Sequence, residues 1–558
     1  MNLNLASLIV FYCLSIISCL GYGLLISKIF NSKISINNYG YQGLFGILFL
    51  IIYSYISNFF YAHDLLHNSI LVLIGLSSFV YFAYKKILVK EKVKILIFIF
   101  SILFLSFLIF KPHDDFSYYH FQYSYYLTQF PLLIGVGQFN HGFATPSSIF
   151  YLNSLFYLPH VDYALFHISA LLVFGFSSLI IIEKLFKFIN KNEPNFISFF
   201  LLFSLAFIVI IFYRIAEHGT DRSAQILIFI LVYELIVLIN FKKNFHECLS
   251  KIFILLALII SFKAFYILYF IFFIPILIAG YQRYKFELFF LTLRNKSLYI
   301  LITTFLIIII TNFFNTGCLI FPVNLTCFES MPWAFSSNHI NHMNDWYEQW
   351  SKAGAGPNFR VENPENYILG FNWVSNWFDE YFFNKVSDFI LGIILIVLIP
   401  SAFIFSKKKK IIFSKRKILS IYVCLLILFF EWFYNHPSLR YGGFVLFGTL
   451  LFIPASLILE KFSKKNLNKK IKSLVILFFI IFIFRNVDRI VNEVEKYNFN
   501  PIKDVHYRIN NNNFNIDKEF TALIDYYNSC YNLNNCEKKP GTKMGKIFGK
   551  IYFLNEKK

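Results

Sequence analysis

The stretch 251–279, KIFILLALIISFKAFYILYFIFFIPILIA, decides how this chain folds. It is apolar almost throughout and too long for one simple membrane crossing. Its middle is interrupted by Lys263, in Ser261-Phe262-Lys263-Ala264. A spanning helix needs ~20 mostly apolar residues, and a lysine at the bilayer centre costs roughly 3 kcal/mol on insertion scales. Basic segments flank the stretch on both sides, Lys242–Lys251 and Arg283–Lys296, and basic connections belong in the cytoplasm. Both ends can lie inside only if the chain goes out and comes back. The stretch therefore reads as two short helices with Lys263 at the outer turn.

The rest of the chain agrees with that reading. Further spans are expected at about 5–29, 41–62, 68–84, 94–110, 161–182, 196–213, 223–241, 298–315, 386–405, 418–434, 441–459 and 472–486. The fold class is an all-α polytopic membrane protein of about 13–14 transmembrane helices. Of 558 residues, 57% are hydrophobic and only 15% charged, with mean hydropathy +0.59. A soluble enzyme could not hide that much apolar surface. The first apolar stretch lacks a basic start and a small-residue cleavage motif, so it reads as a span. The net charge of +20 suggests nucleic-acid binding until its placement is read. More than half of the 51 Lys and Arg residues fall in Lys85–Lys94, Lys184–Lys191, Lys242–Lys251, Arg283–Lys296, Lys407–Lys417 and Lys461–Lys472. All are inner connections once 251–279 is split, so no nucleic-acid partner is expected and both termini should be extracytoplasmic. Five regions follow: N-terminal helices 1–93, a membrane core 94–315 with an outer loop 111–160, a Trp-rich outer loop 316–385, C-terminal helices 386–486, and an outer tail 487–558. Heavy use of Phe, Ile, Lys, Asn and Tyr also carries the compositional bias of an AT-rich genome.

Polar chemistry gathers on the outer face. After the fourth span comes Lys111-Pro112-His113-Asp114-Asp115-Phe116-Ser117-Tyr118-Tyr119-His120-Phe121-Gln122. Adjacent acids repel, so one of Asp114 and Asp115 should have a raised pKa and serve as a base. The same pattern also suits an acidic helix end beside an aromatic belt. Tyr118 to Phe130 should lie along the interface, and Thr145-Pro146-Ser147-Ser148 should cap a second interfacial helix through about Leu158. A second cluster holds Arg214, Glu217, His218, Asp221 and Arg222. Asp221 alone could be a helix-start carboxylate, while arginine suits bidentate phosphate binding. Lys263 and Arg440, in Asn435-His436-Pro437-Ser438-Leu439-Arg440-Tyr441, add two further cations. Either could simply snorkel. Cys318 with Cys327 and Cys530 with Cys536 could form disulfides in an oxidising compartment. Five of the six Trp residues lie in 316–385, suiting sugar stacking or interfacial belting. His339-x-x-His342-x-x-Asp345 has helical spacing, but no metal and no cofactor are expected. Glu234, within a span, is either a functional acid or paired with a neighbouring helix. Walker, G-x-G-x-x-G, G-x-S-x-G and His-Glu-x-x-His patterns are absent from the sequence.

An aspartate directly after a membrane helix, followed by two interfacial helices, resembles the GT-C superfamily of integral-membrane glycosyltransferases. Asp115-x-x-x-Tyr119-His120-x-Gln122, then Gly135, His141 and Ser147-Ser148-x-Phe150, look like a poorly characterised bacterial group with that architecture. Thr316-Gly317-Cys318-Leu319-Ile320-Phe321-Pro322 and Pro437-x-x-Arg440-Tyr441 are similar to that group's later motifs, and the resemblance spans roughly 94–486. It implies transfer of a sugar from a polyprenyl-phosphate donor to a lipid or glycan acceptor on the extracytoplasmic face of the bacterial inner membrane. Asp115 is then the base with Asp114 beside it. His120, Gln122, His141, Glu217, His218 and Asp221 would contact sugar or acceptor, and Arg214, Arg222, Lys263 and Arg440 the phosphate. A transporter or flippase, or a polymerase, for lipid-linked surface polysaccharide is the alternative. Inverted repeats, which a transporter would favour, are not evident.

Overall fold

The computed structural model describes residues 4–30, 34–190, 195–217, 219–240, 245–356, 361, 363–406, 418–462, 467–503, 507, 542–547 and 550–555. Fourteen long helices lie where the sequence expects spans. They are α1 (Leu5–Ile29), α2 (Tyr39–Phe60), α3 (Leu65–Tyr84), α4 (Lys90–Phe107), α5 (Ile168–Asn190), α6 (Phe196–Ile211), α7 (Gly219–Asn240), α8 (Phe245–Phe262), α9 (Ala264–Tyr284), α10 (Lys296–Thr316), α11 (Ser387–Ile404), α12 (Leu419–Asn435), α13 (Gly443–Lys461) and α14 (Asn468–Tyr497). Ten helices among the described residues are long and apolar enough to cross a membrane; α6 and α12 are apolar but shorter. The remaining two, α4 and α14, carry charges at their ends. The protein is an all-α, multi-pass membrane protein.

The expected break at Lys263 is present: α8 stops at Phe262, and α9 begins as a 3-10 turn at Ala264. Several boundaries differ from expectation. The fifth span starts at Ile168 rather than 161, because a 3-10 turn, Tyr163–Leu165, precedes it. The second helix expected along the interface, Ser148–Ser154, is shorter than expected and buried along its whole length within the protein, though Ser147 caps it by accepting from the Ile149 N–H (3.2 Å). The last span runs 30 residues, to Tyr497.

Burial sorts the helices. The apolar stretch of α5 is wholly buried, α6, α7 and α8 nearly so, whereas α3, α10 and α11 expose most of theirs. A helix apolar on every side is stable only at a bundle centre or against lipid. Exposed Leu73, Leu395, Phe430 and Ile480 are of the second kind. Small residues bring α1 and α3 into backbone contact: a Cβ on Gly21 would sit 1.9 Å from the Gly75 carbonyl oxygen. A hairpin of β1 (Thr542–Ile547) and β2 (Lys550–Asn555) joins the loop after the first interfacial helix, the Phe553 N–H donating to the Ile134 carbonyl (2.9 Å).

Three fastenings position the site. The turn after α12 is held by the Trp432 indole on the Ser438 carbonyl (2.8 Å), the Trp377 indole on the Pro437 carbonyl (2.9 Å) and the Leu439 N–H on the Tyr381 hydroxyl (2.9 Å). Gln225 of α7 donates to the Arg440 carbonyl (3.0 Å) and accepts from the Val445 N–H (3.1 Å). At the end of α4, Arg489 donates to the Leu105 and Leu108 carbonyls (3.0 and 2.7 Å), and Glu493 accepts from the Phe110 N–H (3.0 Å). The polar half of α14 thus satisfies carbonyls that a helix end leaves orphaned and anchors the loop leading to Asp115.

Candidate functional site

Four helix ends meet at one end of the bundle, and each contributes one charged side chain. Asp115 follows α4, Asp221 stands in the first turn of α7, Lys263 is the single residue between α8 and α9, and Arg440 occupies the turn between α12 and α13. Arg440 bridges the two acids, with Nη2 donating to Asp115 Oδ2 (2.7 Å) and Nε to Asp221 Oδ2 (3.1 Å). Lys263 Nζ donates to the other Asp221 oxygen. Two acids and two bases therefore form one neutral chain. Its cations rest on aromatic rings, Lys263 over Tyr441 (4.8 Å) and Arg440 over Trp350 (5.6 Å) and Tyr441 (5.9 Å), geometry that favours a cation wherever water is partly excluded.

Asp115 is not a raised carboxyl. Burial opposes ionisation of Asp115, but Arg440 outweighs it, joined by His113 and His120 only once acid has protonated them, and the carboxyl is held well below the usual carboxylate range. Asp114 does not join it: successive side chains diverge, and Asp114 turns to Lys111 (3.7 Å). His113 lies 3.7 Å from Asp115 yet accepts the Asp115 N–H at Nδ1 (3.2 Å), so it carries no proton there. Burial lowers its pKa.

Two cavities open on either side of the chain and share Asp115, His120, Thr220 and Arg440. The first, about 380 Å³, adds Arg222, Lys385, His113 and the acids Glu217, Asp221 and Asp388, with Phe389 and Phe444 of α11 and α13 in its wall. Arg222 lies 5.4 Å from the Phe212 ring and Lys385 5.3 Å from the Tyr381 ring, and neither forms an ion pair among the described residues. The second, about 330 Å³, is aromatic: Tyr118, Tyr119, Trp346, Tyr347, Trp350 and Tyr441, with His141 and Lys263. His141 Nδ1 is 3.2 Å from the Tyr118 hydroxyl.

Several expected residues are elsewhere. Arg214 lines neither cavity, because its guanidinium grips Glu217 in two bonds (2.7 and 2.5 Å). Gln122 is buried and lines neither. His218, Cys530 and Cys536 lie outside the described residues. Cys318 and Cys327 form a disulfide. Of the Trp residues, Trp373, Trp377 and Trp432 are buried in the core and Trp333 is buried beside the site loops; only Trp346 and Trp350 reach the aromatic cavity. His339 stacks on Phe335 (4.5 Å), and among the described residues no three His, Cys, Asp or Glu side chains come together to hold a metal. Glu234 accepts from the Tyr41 hydroxyl and lies 3.8 Å from Lys251. It stands thirteen residues along α7 from Asp221, ~20 Å at the helical rise, so it belongs to the opposite end.

Sequence reasoning gave no role of their own to Lys385, Tyr441 and His113, and took Trp350 only as one of the loop tryptophans suited to sugar stacking or belting. Tyr441 and His113 neighbour residues already singled out. Lys385 and Trp350 come from the long loop, whose return over the site leaves no periodic signal.

An apolar all-α bundle, with two acids and two bases joined between two cavities at one end, defines a multi-pass membrane protein. The chain belongs to the family described as a domain of unknown function, DUF8201, whose model matches residues 5–447 and so takes in the whole charged cluster. No curated protein and no solved structure matches it.

Proposed function

We propose that this protein is a GT-C-type glycosyltransferase of the bacterial inner membrane. It moves a sugar from a polyprenyl-phosphate donor to a glycan or lipid acceptor in cell-envelope polysaccharide synthesis. The observation that carries the reading is the first cavity. It sets Arg222 and Lys385, neither in an ion pair among the described residues, beside Asp115 and Arg440, takes in the acids Glu217, Asp221 and Asp388 as well, and continues onto the apolar Phe389 and Phe444. That combination suits a phosphate with an apolar tail. The aromatic cavity, on the other side of Asp115, suits a sugar ring.

The inner placement that the sequence gives the basic connections, and a disulfide at the site end, support an extracytoplasmic site, with both termini on that side. An acceptor hydroxyl meeting the sugar beside Asp115 would be oriented by that carboxylate, and the departing phosphate would be stabilised by the arginine and lysine side chains. Binding of a short-chain polyprenyl phosphate to purified protein in nanodiscs tests the assignment. A lost charged hydrogen bond is worth ~1.5–3 kcal/mol, so Arg222→Ala with Lys385→Ala should raise Kd at least about tenfold. Unchanged affinity would remove the lipid phosphate from this cavity.

A further inference from the structure

A short helix, Glu287–Leu293, joins α9 to α10 at the end of the bundle away from the charged cluster. Arg283 donates to the Ile239 carbonyl (2.6 Å) at the close of α7, and Lys296 to the Phe30 carbonyl (2.9 Å) just past α1. Ile239 stands eighteen residues along α7 from Asp221, ~27 Å at the helical rise, about the thickness of a bilayer core. Helical turning begins one residue before Glu287, where the Phe289 N–H donates to the Phe286 carbonyl (3.3 Å). Phe286, Phe289, Phe290 and Leu293 therefore recur at i, i+3, i+4 and i+7 and share one face. They are 82%, 63%, 60% and 39% exposed. Leu288, on the opposite side, is buried against α9, where a Cβ on Gly280 would sit 2.5 Å from its Cδ1. The helix is docked by its back and turns its large apolar side chains outward. The exposed Tyr281 ring extends the face, 6.3 Å from Phe286.

Two residues join this helix to α9 and two join it to α10, so it is tied to the membrane surface where those spans end. Charge points to what covers it. Residues 283–296 hold four basic side chains, Arg283, Lys285, Arg294 and Lys296, against one acid, Glu287. Arg283 and Lys296 serve helix-end carbonyls. Lys285 and Arg294 are exposed and form no ion pair among the described residues. A second copy of the chain would bring the same positive charge and be repelled. A leaflet with anionic headgroups suits both features: an amphipathic helix sinks its apolar face to the headgroup–acyl boundary, and its flanking cations draw acidic lipid.

We propose that residues 281–296 form an interfacial anchor, which seats Phe286, Phe289, Phe290 and Leu293 in the adjoining leaflet and gathers anionic phospholipid around Lys285 and Arg294. None of these residues lines either large cavity, so the anchor stands or falls separately from the transferase reading.

Photo-crosslinking tests it on the full chain. Phe290 is replaced by benzoylphenylalanine, and the protein is placed in nanodiscs of roughly four parts phosphatidylcholine to one part phosphatidylglycerol, a mixture whose acidic lipid can be enriched by local charge. Mass spectrometry then identifies the adducts. The same crosslinker at Leu395, exposed midway along α11, reports the bulk lipid ratio. Adducts at 290 should be lipid, enriched in phosphatidylglycerol relative to those at 395. Lys285→Gln and Arg294→Gln should each cut that enrichment about fivefold, or to the bulk ratio where less remains. Both side chains are exposed, so neither change threatens the fold. Adducts to a second copy or another protein, no lipid adduct at 290, the bulk ratio there in the native chain, or an enrichment that survives both substitutions would each overturn the proposal.

Discussion

Replacing Arg440 with glutamine should convert the most acid-tolerant part of the site into a pH-dependent weakness. The side chains of Arg440 and Asp115 are only 28% and 25% exposed, and the guanidinium serves two carboxylates at 2.7 and 3.1 Å. Breaking a partly buried pair and leaving an acid behind costs roughly 3 kcal/mol. In the native protein the Asp115 pKa is depressed. Its contribution is therefore complete above the unfolded value of ~3.9 and is lost only as pH falls through the still lower folded value. Without Arg440 the largest influence left is burial, which raises the pKa. A raised carboxyl contributes stability below its unfolded value and loses it as pH rises through the folded one. The variant should thus regain up to ~1.4 kcal/mol per unit as pH is lowered through its new pKa. Thermal unfolding in detergent at pH 7.5, 6.5 and 5.5 measures this. The Tm gap between native and variant should be widest at pH 7.5 and close steadily toward 5.5. A gap independent of pH would refute the claim that Arg440 is what keeps Asp115 ionised.

Other perturbations have equally definite outcomes. Exchanging Cys318 and Cys327 for serine opens a loop of sequence separation 9 and should cost roughly 2–3 kcal/mol, seen as a Tm loss that reductant reproduces in the native protein. Arg489→Ala should cost about 3–5 kcal/mol by stranding Glu493 and the Leu105 and Leu108 carbonyls, and limited proteolysis should then cut first near 108–115. Trp350→Ala should loosen Arg440 by ~0.5–2 kcal/mol. Its Tm penalty should shrink when Arg440 is already glutamine, as a double-mutant cycle would show.

The helical frame was legible because membrane helices announce themselves residue by residue. Length, apolarity and the basic flanks of 251–279 were enough to place Lys263 at a turn. Charged residues at helix ends were also readable, so Asp115, Asp221, Lys263 and Arg440 could be named in advance. Which ion pairs with which was not. Spacing cannot show that Arg214 is consumed by Glu217 three residues away while Arg440 reaches across to two distant acids. Nor can it show that adjacent Asp114 and Asp115 turn apart. Pairing depends on how the helix ends pack, and the polar end of α14, which looked like a span running into a tail, turned out to secure the loop of Asp115. The aromatic cavity was half visible: a Trp-rich loop was plain, but only packing separates the core residues Trp373 and Trp377 from Trp350.

The most direct test of the central claim is genetic complementation read chemically. Cells lacking this protein are given either the native chain or Asp115→Asn, and the sugar composition of the surface glycan and of the polyprenyl-phosphate pool is measured. The account predicts that the native chain restores a missing glycan sugar. With Asp115→Asn, that sugar should stay absent and remain on the lipid phosphate. Full restoration by Asp115→Asn, with no sugar held on the lipid, would contradict it.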